Sequence, residues 1–351
     1  MKTIIDLCKI SDLNCGLGQV ALHLHQNLNE LLSHTNNNDE IISYCEEKGS
    51  EHLKGEKLLY KKSHRYPFFF RPDCTVWHAI HQDIKVYPSP KRIKKILTIH
   101  DLNAIHEEKR EDKKAKYLKN LQKKINQSHT VTFISKFTQS EVQKHLDLSK
   151  VQQKVIMNGV ALNHDLESER PKAIPEDLRE FFFSIGTVVP KKNFKLILDI
   201  AKALPEEKFV IAGTTFHDYA KEMSEEIKRE NLGSRVFLIG EIEEAEKLYL
   251  YDNAKALIHP SFLEGFGLPI VEAYSRGLPV ISSHAGSLPE VCGDYGLLFD
   301  PNSKEEAIER VKEFLEYPTT IELKNDLVNF ASQFSWKKAA QEYLSLYQSL
   351  N

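Results

Sequence analysis

The sequence predicts an α/β protein built from two Rossmann-like domains, and three observations support this fold class. The chain has 351 residues, which is long for one hydrophobic core and suits two domains of about 150 residues each. Short apolar runs alternate with helix-like segments in both halves, a pattern typical of parallel sheets covered by helices. A polar, proline-containing stretch at 161–176 interrupts both periodicities near the middle of the chain.

The first half contains six apolar runs of strand length. We expect strands at Thr3–Leu7, Glu40–Cys45, Thr75–Ile80, Ile96–His100, Thr130–Ile134 and Lys154–Met157. The turn formers Asn158, Gly159 and Val160 begin the linker. We therefore place the domain boundary near residue 170, so that the first domain covers 1–169 and the second begins at 170.

The second half repeats the scheme more clearly. We expect strands at Phe181–Gly186, Lys208–Gly213, Val236–Gly240, Lys255–His259 and Pro279–Ser283. Between Ser303 and Tyr317 the apolar residues recur at helical spacing, which predicts a helix with one face in the core. The second domain accordingly covers 170–335.

Composition excludes several classes of protein. Hydrophobic residues make up 41% and charged residues 28%, and no apolar run approaches the roughly 18 residues of a membrane span. The apolar run at the N-terminus meets Asp6 and is too short for a signal peptide. Five cysteines without C-x-x-C spacing fit reduced thiols. We therefore expect a cytoplasmic protein, and the net charge of −3 argues against nucleic acid as a partner.

The stretch 259–273 is the most informative part of the chain. It combines a strand end, glycines at 265 and 267, Pro269 at a helix start, and the carboxylates Glu264 and Glu272. Glycines allow the backbone to approach a ligand closely, and the free N–H groups of a helix start favour an anion such as a diphosphate. This segment predicts a binding site for a sugar attached to a phosphate.

Glu264 and Glu272, separated by seven residues, resemble the E-x7-E signature of retaining glycosyltransferases of family four, which have the GT-B fold. Five further segments match that family in order: CGLGQVALHL at 15–24, LTIHDL at 97–102, FISKFTQSEV at 133–142, FSIGTVVPKKN at 183–193 and FSWKKAAQEYLSLY at 334–347. The resemblance covers nearly the whole chain. It implies two parallel sheets that face each other across a cleft, and a C-terminal helix, 336–351, that packs back on the N-terminal domain.

The same resemblance assigns roles to the glycine-rich segment. It implies that Glu264 lies near the reacting sugar and that Glu272 contacts the nucleotide ribose. The backbone of Gly265, Phe266, Gly267 and Leu268 would hold the diphosphate.

A lysine pair follows the first strand of the second domain, where open α/β sheets bind ligands. In the family this loop has an Arg just after its Gly and a Lys before a Gly or Asn, and both bind the diphosphate. Lys192 matches the Lys, whereas Thr187 stands at the Arg position and removes a bidentate phosphate partner. Lys191 is either a substitute for that Arg or a solvated turn residue.

Two segments of the first domain are also candidates. Gly16 and Gly18 form a glycine loop between a strand and a helix, which either brings backbone N–H groups to the ligand or is an ordinary turn. His100 ends an apolar strand, and the resemblance places it beside the donor sugar. Asp101 either orients the His100 ring or caps a helix.

The resemblance also places the nucleotide base against the backbone near Ile242, so the identity of the base is poorly encoded. The sequence contains no D-x-D triplet and no cysteine–histidine cluster with metal-ligand spacing. We therefore expect no cofactor and no metal, with lysine and backbone N–H groups stabilising the leaving phosphate.

Region 54–95 is rich in cations and aromatic residues. A basic face with exposed aromatics would bind an anionic membrane surface or a lipid-linked acceptor. In the alternative interpretation, Phe68, Phe69 and Phe70 pack internally and the lysines are solvated.

The resemblance implies a retaining glycosyltransferase that transfers a hexose to a glycan or lipid-linked acceptor. The segments GTVVPKKN at 186–193 and TIHDL at 98–102 are similar to bacterial mannosyltransferases that build surface polysaccharides, which makes GDP-mannose the first expected donor. The alternatives are a UDP-sugar enzyme, a retaining phosphorylase or nucleotide-sugar epimerase of the same fold, and a non-catalytic nucleotide-sugar-binding partner. Glu264, Glu272, Lys192 and His100 argue against the non-catalytic partner, whereas Thr187 keeps it open. An NAD-dependent dehydrogenase also stays open, because Ala21 is tolerated at the third glycine position of the G-x-G-x-x-G fingerprint and Asp39 lies close to the position of its acidic residue.

Overall fold

The computed structural model describes residues 1–13, 15–34, 39–66, 70–107, 110–160, 162, 165–317 and 319–350. The chain divides into two compact units. The first unit comprises Met1–Ala161 and Phe334–Asn351, and the second unit comprises Leu162–Gln333. The division thus falls before the predicted boundary near residue 170. The reason is local, because the Glu169 N–H donates to the Ala245 carbonyl 3.0 Å away and so ties this segment to the second unit.

In the first unit the strands are β1 (Lys2–Asp6), β2 (Glu40–Cys45), β3 (Lys57–Leu59), β4 (Val76–Ala79), β5 (Lys94–Ile99), β6 (Thr130–Phe133) and β7 (Gln152–Val155). Within the described residues they form one parallel sheet in the order β3-β2-β1-β4-β5-β6-β7. The helices of this unit that precede the linker are α1 (Gly16–Ser33), α2 (Asn103–Glu107), α3 (Glu111–Gln127) and α4 (Lys136–His145).

In the second unit the strands are β8 (Phe182–Ile185), β9 (Phe209–Ala212), β10 (Val236–Gly240), β11 (Leu257–His259), β12 (Val280–Ser283) and β13 (Leu297–Phe299). They also form a parallel sheet, in the order β10-β9-β8-β11-β12-β13. The helices are α5 (Lys195–Ala203), α6 (Asp218–Arg229), α7 (Glu244–Asn253), α8 (Leu268–Ser275), α9 (Leu288–Cys292), α10 (Lys304–Glu316) and α11 (Ile321–Ala331). The strand order reverses between β8 and β11, which is where sheets of this kind bind ligands.

The final helix, α12 (Trp336–Ser349), belongs to the first unit. Its buried side chains Trp336 and Ala340 share one hydrophobic cluster with Val20 and Leu24 of α1. A Cβ on Gly159 would lie 2.2 Å from the Trp336 nitrogen, so the start of the linker is packed backbone to backbone against the start of α12. Glycine is required there because any side chain would collide.

Candidate active site

The glycine-rich segment connects β11 to α8 at the switch point of the second sheet. Gly267 precedes α8 with a φ of +108°, and a Cβ there would lie 2.8 Å from a methyl carbon of Leu288. Both facts require glycine. Pro269 occupies the first turn of α8, as predicted for a helix start. The N-terminus of α8 thus lies at the carboxyl edge of the sheet, where the helix dipole favours an anion.

Three polar side chains converge beside this segment. The Lys192 Nζ lies 2.5 Å from the Glu264 Oε1, and both side chains are only 16% exposed. The Nε2 of the fully buried His259, at the end of β11, lies 3.4 Å from the same oxygen. Lys192 follows β8 and Glu264 follows β11, so the switch point brings together two residues that are distant in sequence.

The surroundings of Glu264 hold it ionised. Burial alone would raise the pKa of this carboxyl, but the Lys192 ammonium and the His259 N–H outweigh burial and lower the pKa well below its usual value. Burial lowers the pKa of His259 although Glu264 opposes that shift. The imidazole is therefore neutral, and its Nε2–H donates to the Glu264 carboxylate.

Glu272 lies on α8 and is held by two partners on α7. The Tyr251 hydroxyl donates to Glu272 Oε2 at 2.8 Å, and the Lys247 Nζ lies 3.3 Å from Oε1. Burial raises the pKa of Tyr251, and the neighbouring Glu272 raises it further, so the phenol remains protonated as the donor. The two carboxylates of the E-x7-E segment thus each have a lysine partner.

The structure places the remaining predicted donor residues of the second unit in the loops that follow β8 and β10, two strands that are separated by β9. Thr187 is half-buried in the loop after β8, and Ile242 is half-buried after β10. The Lys191 carbonyl accepts from the Phe262 N–H at 2.8 Å, which joins the lysine loop to the glycine-rich segment. Predicted contacts of these residues with a ligand stay predictions.

Ser287 and Gly286 support the glycine-rich segment and were missed by the sequence analysis, as were Tyr251 and Lys247. The Ser287 hydroxyl donates to the carbonyls of Glu264 at 3.0 Å and Phe266 at 2.8 Å, and so fixes both sides of Gly265. Gly286 has a φ of +64°, and a Cβ there would lie 2.5 Å from the Glu264 carbonyl oxygen. The signal available was a Gly–Ser pair three residues after the end of the predicted strand Pro279–Ser283.

His100 follows β5 in the first unit and is 4% exposed. Its Nε2 lies 2.7 Å from the Ile80 carbonyl, and since a carbonyl only accepts, Nε2 is the protonated nitrogen. Burial lowers the pKa of His100 to about 4, so the ring is neutral and Nδ1 is an acceptor. Asp101 Oδ1 accepts from the Asn103 N–H at 2.9 Å, which supports the capping role at α2.

The predicted glycine loop is the N-terminus of α1. Gly16 is its first residue, and Cys15 Sγ accepts from the Gly18 N–H at 3.4 Å. A Cβ on Gly18 would lie 1.9 Å from the Asp12 carbonyl oxygen, so Gly18 allows a close backbone approach. This contact explains Gly18 by packing and leaves its role in ligand binding a prediction.

A pocket of about 240 Å³ opens at the carboxyl ends of β1 and β4 in the same unit. It is lined by Asp6, Cys8, Lys9, Ser11, Asp12, Cys15, Leu17, Glu46, Ile80, His81, Asp83, Ile84 and Lys85. Lys85 forms an ion pair with Glu46 there. The carboxylates and lysines that line this pocket offer both acceptors and donors to a polar ligand.

Region 54–95 is only partly described. Phe70 is buried, which agrees with internal packing, whereas Phe68 and Phe69 lie outside the described residues. Across the described part of the chain, every helix is too short or too polar to cross a membrane. In that same part, no three His, Cys, Asp or Glu side chains are grouped so that they could hold a metal ion.

Residues 165–334 match the family model described as glycosyl transferases group 1. O-antigen chain mannosyltransferase B of Escherichia coli is 26% identical over 276 residues, which cover 74% of this chain and 72% of that protein. O-antigen chain mannosyltransferase RfbU of Salmonella typhimurium is 23% identical over 257 residues, which cover 73% of this chain and 68% of that protein.

Solved structures with the same fold cover essentially the whole chain. Sucrose-phosphate synthase from Thermosynechococcus elongatus superposes with a TM-score of 0.77 at 17% identity, covering 100% of this chain and 99% of its own. Anabaena Alr3699/HepE, solved in complex with UDP, gives a TM-score of 0.74 at 17% identity and covers 99% of each chain. Residues 165–334 therefore match glycosyl transferases group 1, and the whole chain has the GT-B fold of these solved structures.

Proposed function

We propose that this glycosyltransferase transfers mannose from GDP-mannose, with retention of configuration, to a glycan or lipid-linked acceptor of a bacterial surface polysaccharide. The observation that carries the donor site is the Lys192–Glu264 pair beside the N-terminus of α8. The choice of mannose is supported by the two O-antigen mannosyltransferases to which the chain is similar.

The second unit would bind the donor. Lys192 and the backbone of Gly265–Leu268 would hold the diphosphate, because a lysine ammonium and the N-terminus of a helix both favour an anion. The same groups would stabilise the charge that develops on the leaving phosphate, so the reaction needs no metal ion for this step. Glu264 would contact the donor sugar, and Glu272 would accept from the ribose hydroxyls.

The first unit would bind the acceptor. Its pocket of about 240 Å³ carries carboxylates such as Asp6 and Glu46, which accept hydrogen bonds from the hydroxyl groups of a glycan. His100 would contribute its Nδ1 as an acceptor for a sugar hydroxyl.

A UDP-sugar donor is the second candidate. Anabaena Alr3699/HepE has been solved with UDP-glucose, with a TM-score of 0.73 to this chain. That protein is only 18% identical to this chain in sequence. The similarity therefore supports the fold, and the test below decides the base and the sugar of the donor.

The first test is calorimetric binding of GDP and UDP to the wild type, Glu272→Ala and the control Glu225→Ala, an exposed glutamate of the same unit. We expect GDP binding that weakens about tenfold or more in Glu272→Ala and is unchanged in Glu225→Ala. UDP preference would replace the proposed donor, and binding of neither nucleotide would contradict the donor site.

Turnover completes the test. GDP-mannose is supplied with a mannose-containing acceptor in the presence of EDTA, and the anomeric configuration of the product is determined by NMR. An α-linked product without added metal is expected. A product with inverted, β configuration would contradict retention. Loss of activity in EDTA would contradict metal independence.

A further inference from the structure

We infer that the side chain of Glu241 selects guanine as the base of the donor nucleotide. The inference rests on the proposed function and deepens it, because it assigns the choice of base to one side chain. Glu241 follows β10 and is exposed at the carboxyl edge of the second sheet.

The ends of β8, β9 and β10 form one continuous edge that leads from the lysine loop to Glu241. The Gly186 N–H donates to the Ala212 carbonyl at 3.0 Å, and the Gly213 N–H donates to the Gly240 carbonyl at 2.7 Å. Adjacent strands lie about 4.8 Å apart, so β10 is on the order of 10 Å from β8. A nucleoside whose diphosphate is at the lysine loop can span this distance along the edge.

The contact between α7 and α8 places the ribose site next to the same segment. Lys247 lies in the first turn of α7, which begins shortly after Glu241, and its Nζ lies 3.3 Å from Glu272 Oε1. A ribose bound at Glu272, with its diphosphate at Lys192, therefore lies beside the chain that leaves β10. The base projects from that ribose toward the segment that contains Glu241.

The Glu241 carboxylate is oriented by a neighbouring strand end. The Thr214 hydroxyl, which is 9% exposed, donates to Glu241 Oε1 at 2.8 Å. A carboxylate has about four lone-pair sites on its two oxygens. It can therefore accept from Thr214 and from a ligand at the same time, in a direction that Thr214 fixes.

A carboxylate distinguishes guanine from uracil by simple complementarity. Guanine presents N1–H and an exocyclic N2 amino group on one edge, and these two donors match two carboxylate oxygens. Uracil presents a single N3–H between two carbonyl oxygens, which the carboxylate repels. A glutamate at this position thus favours GDP and disfavours UDP.

The test measures equilibrium binding of GDP, inosine diphosphate and UDP to the full-length wild type and Glu241→Gln. Inosine diphosphate differs from GDP only in lacking the N2 amino group. The wild type is expected to bind GDP about tenfold more tightly than inosine diphosphate, and Glu241→Gln is expected to bring this ratio close to one. Glu244→Gln, which removes the same charge in the first turn of α7, is expected to keep the wild-type ratio.

Three outcomes overturn the inference: equal or tighter binding of UDP by the wild type, an unchanged ratio in Glu241→Gln, or an equal change of the ratio in Glu244→Gln. All three outcomes leave the nucleotide site intact, although tighter binding of UDP would also replace GDP-mannose as the proposed donor. Failure of the wild type to bind any of the three nucleotides instead overturns the proposed function and the inference together.

Discussion

Replacing Lys192 by alanine should destabilise the second unit strongly at neutral pH. The substitution leaves the Glu264 carboxylate, 16% exposed, without its partner at 2.5 Å. Breaking a buried ion pair costs about 3–5 kcal/mol, and the partial exposure together with the remaining His259 contact reduces this to about 2–3 kcal/mol. For a unit of this size the loss corresponds to a melting temperature lower by roughly 5–10 °C.

The cost should depend on pH in a defined direction. In the wild type the pKa of Glu264 is depressed below its ordinary value of 4.5, so its contribution to stability is present above that pH and is lost as the pH falls through the folded-state pKa. In Lys192→Ala burial dominates and raises the pKa, so the variant recovers stability when Glu264 takes up a proton. The difference between the two proteins is therefore largest near pH 7 and shrinks below about pH 4.5.

Urea unfolding of the wild type, Lys192→Ala, Glu264→Gln and the double variant at pH 7 and pH 4 checks this reasoning. The double variant should lose less stability than the sum of the single variants, because the two residues are coupled. GDP binding should fall in both proteins that lack Lys192 and persist in Glu264→Gln. Strictly additive losses, or the same loss at both pH values, would refute the argument.

Three further predictions concern backbone, hydrogen bonding and burial. Gly267→Ala should cost about 1–3 kcal/mol of stability and weaken GDP binding, because φ is +108° and the new Cβ would collide with Leu288. The control Gly233→Ala, which has open space around it, should do neither. Thermal melts and calorimetry compare the two variants. Tyr251→Phe should weaken GDP binding several-fold by removing the hydroxyl donor to Glu272. Unchanged affinity for GDP would show that this hydrogen bond does not contribute to ligand binding. Burial raises the pKa of Asp6 from 3.8 to about 6, so ionisation of this carboxyl above pH 6 costs stability. Asp6→Asn should therefore stabilise the first unit by about 2–3 kcal/mol at pH 8 and not at pH 4. Urea unfolding of both proteins at the two pH values tests this prediction.

The fold was predictable because buried parallel strands are continuous apolar runs, and eleven of them stood out in the sequence. The strands that were missed, β3 and β13, are three residues long and lie at sheet edges, where burial on both faces is not required. β7 was predicted two residues too late. Its first residues, Gln152 and Gln153, are exposed at the edge, so apolar character marked only the end of the strand.

The candidate site was predictable where a backbone requirement leaves a mark in the sequence. Gly267 and Pro269 predict the turn and the helix start, and the position of Lys192 after a strand predicts a ligand-binding residue. The partners of Glu272 could not be predicted in this way. Tyr251 and Lys247 lie on another helix, and their contacts with Glu272 depend on how α7 packs against α8, which no spacing along the chain encodes.

The charged side chains of the candidate site balance one another, and this limits how a diphosphate can bind. Glu264 is neutralised by Lys192 and Glu272 by Lys247, so an incoming diphosphate adds negative charge to a pair that is neutral. Lys192 can keep Glu264 and still donate to phosphate because an ammonium has three N–H donors. The helix N-terminus supplies about half a positive charge. With Thr187 in place of an arginine, the proposed binding of diphosphate depends on these two groups together, which is why both the Lys192 side chain and the Gly267 turn are expected to be indispensable.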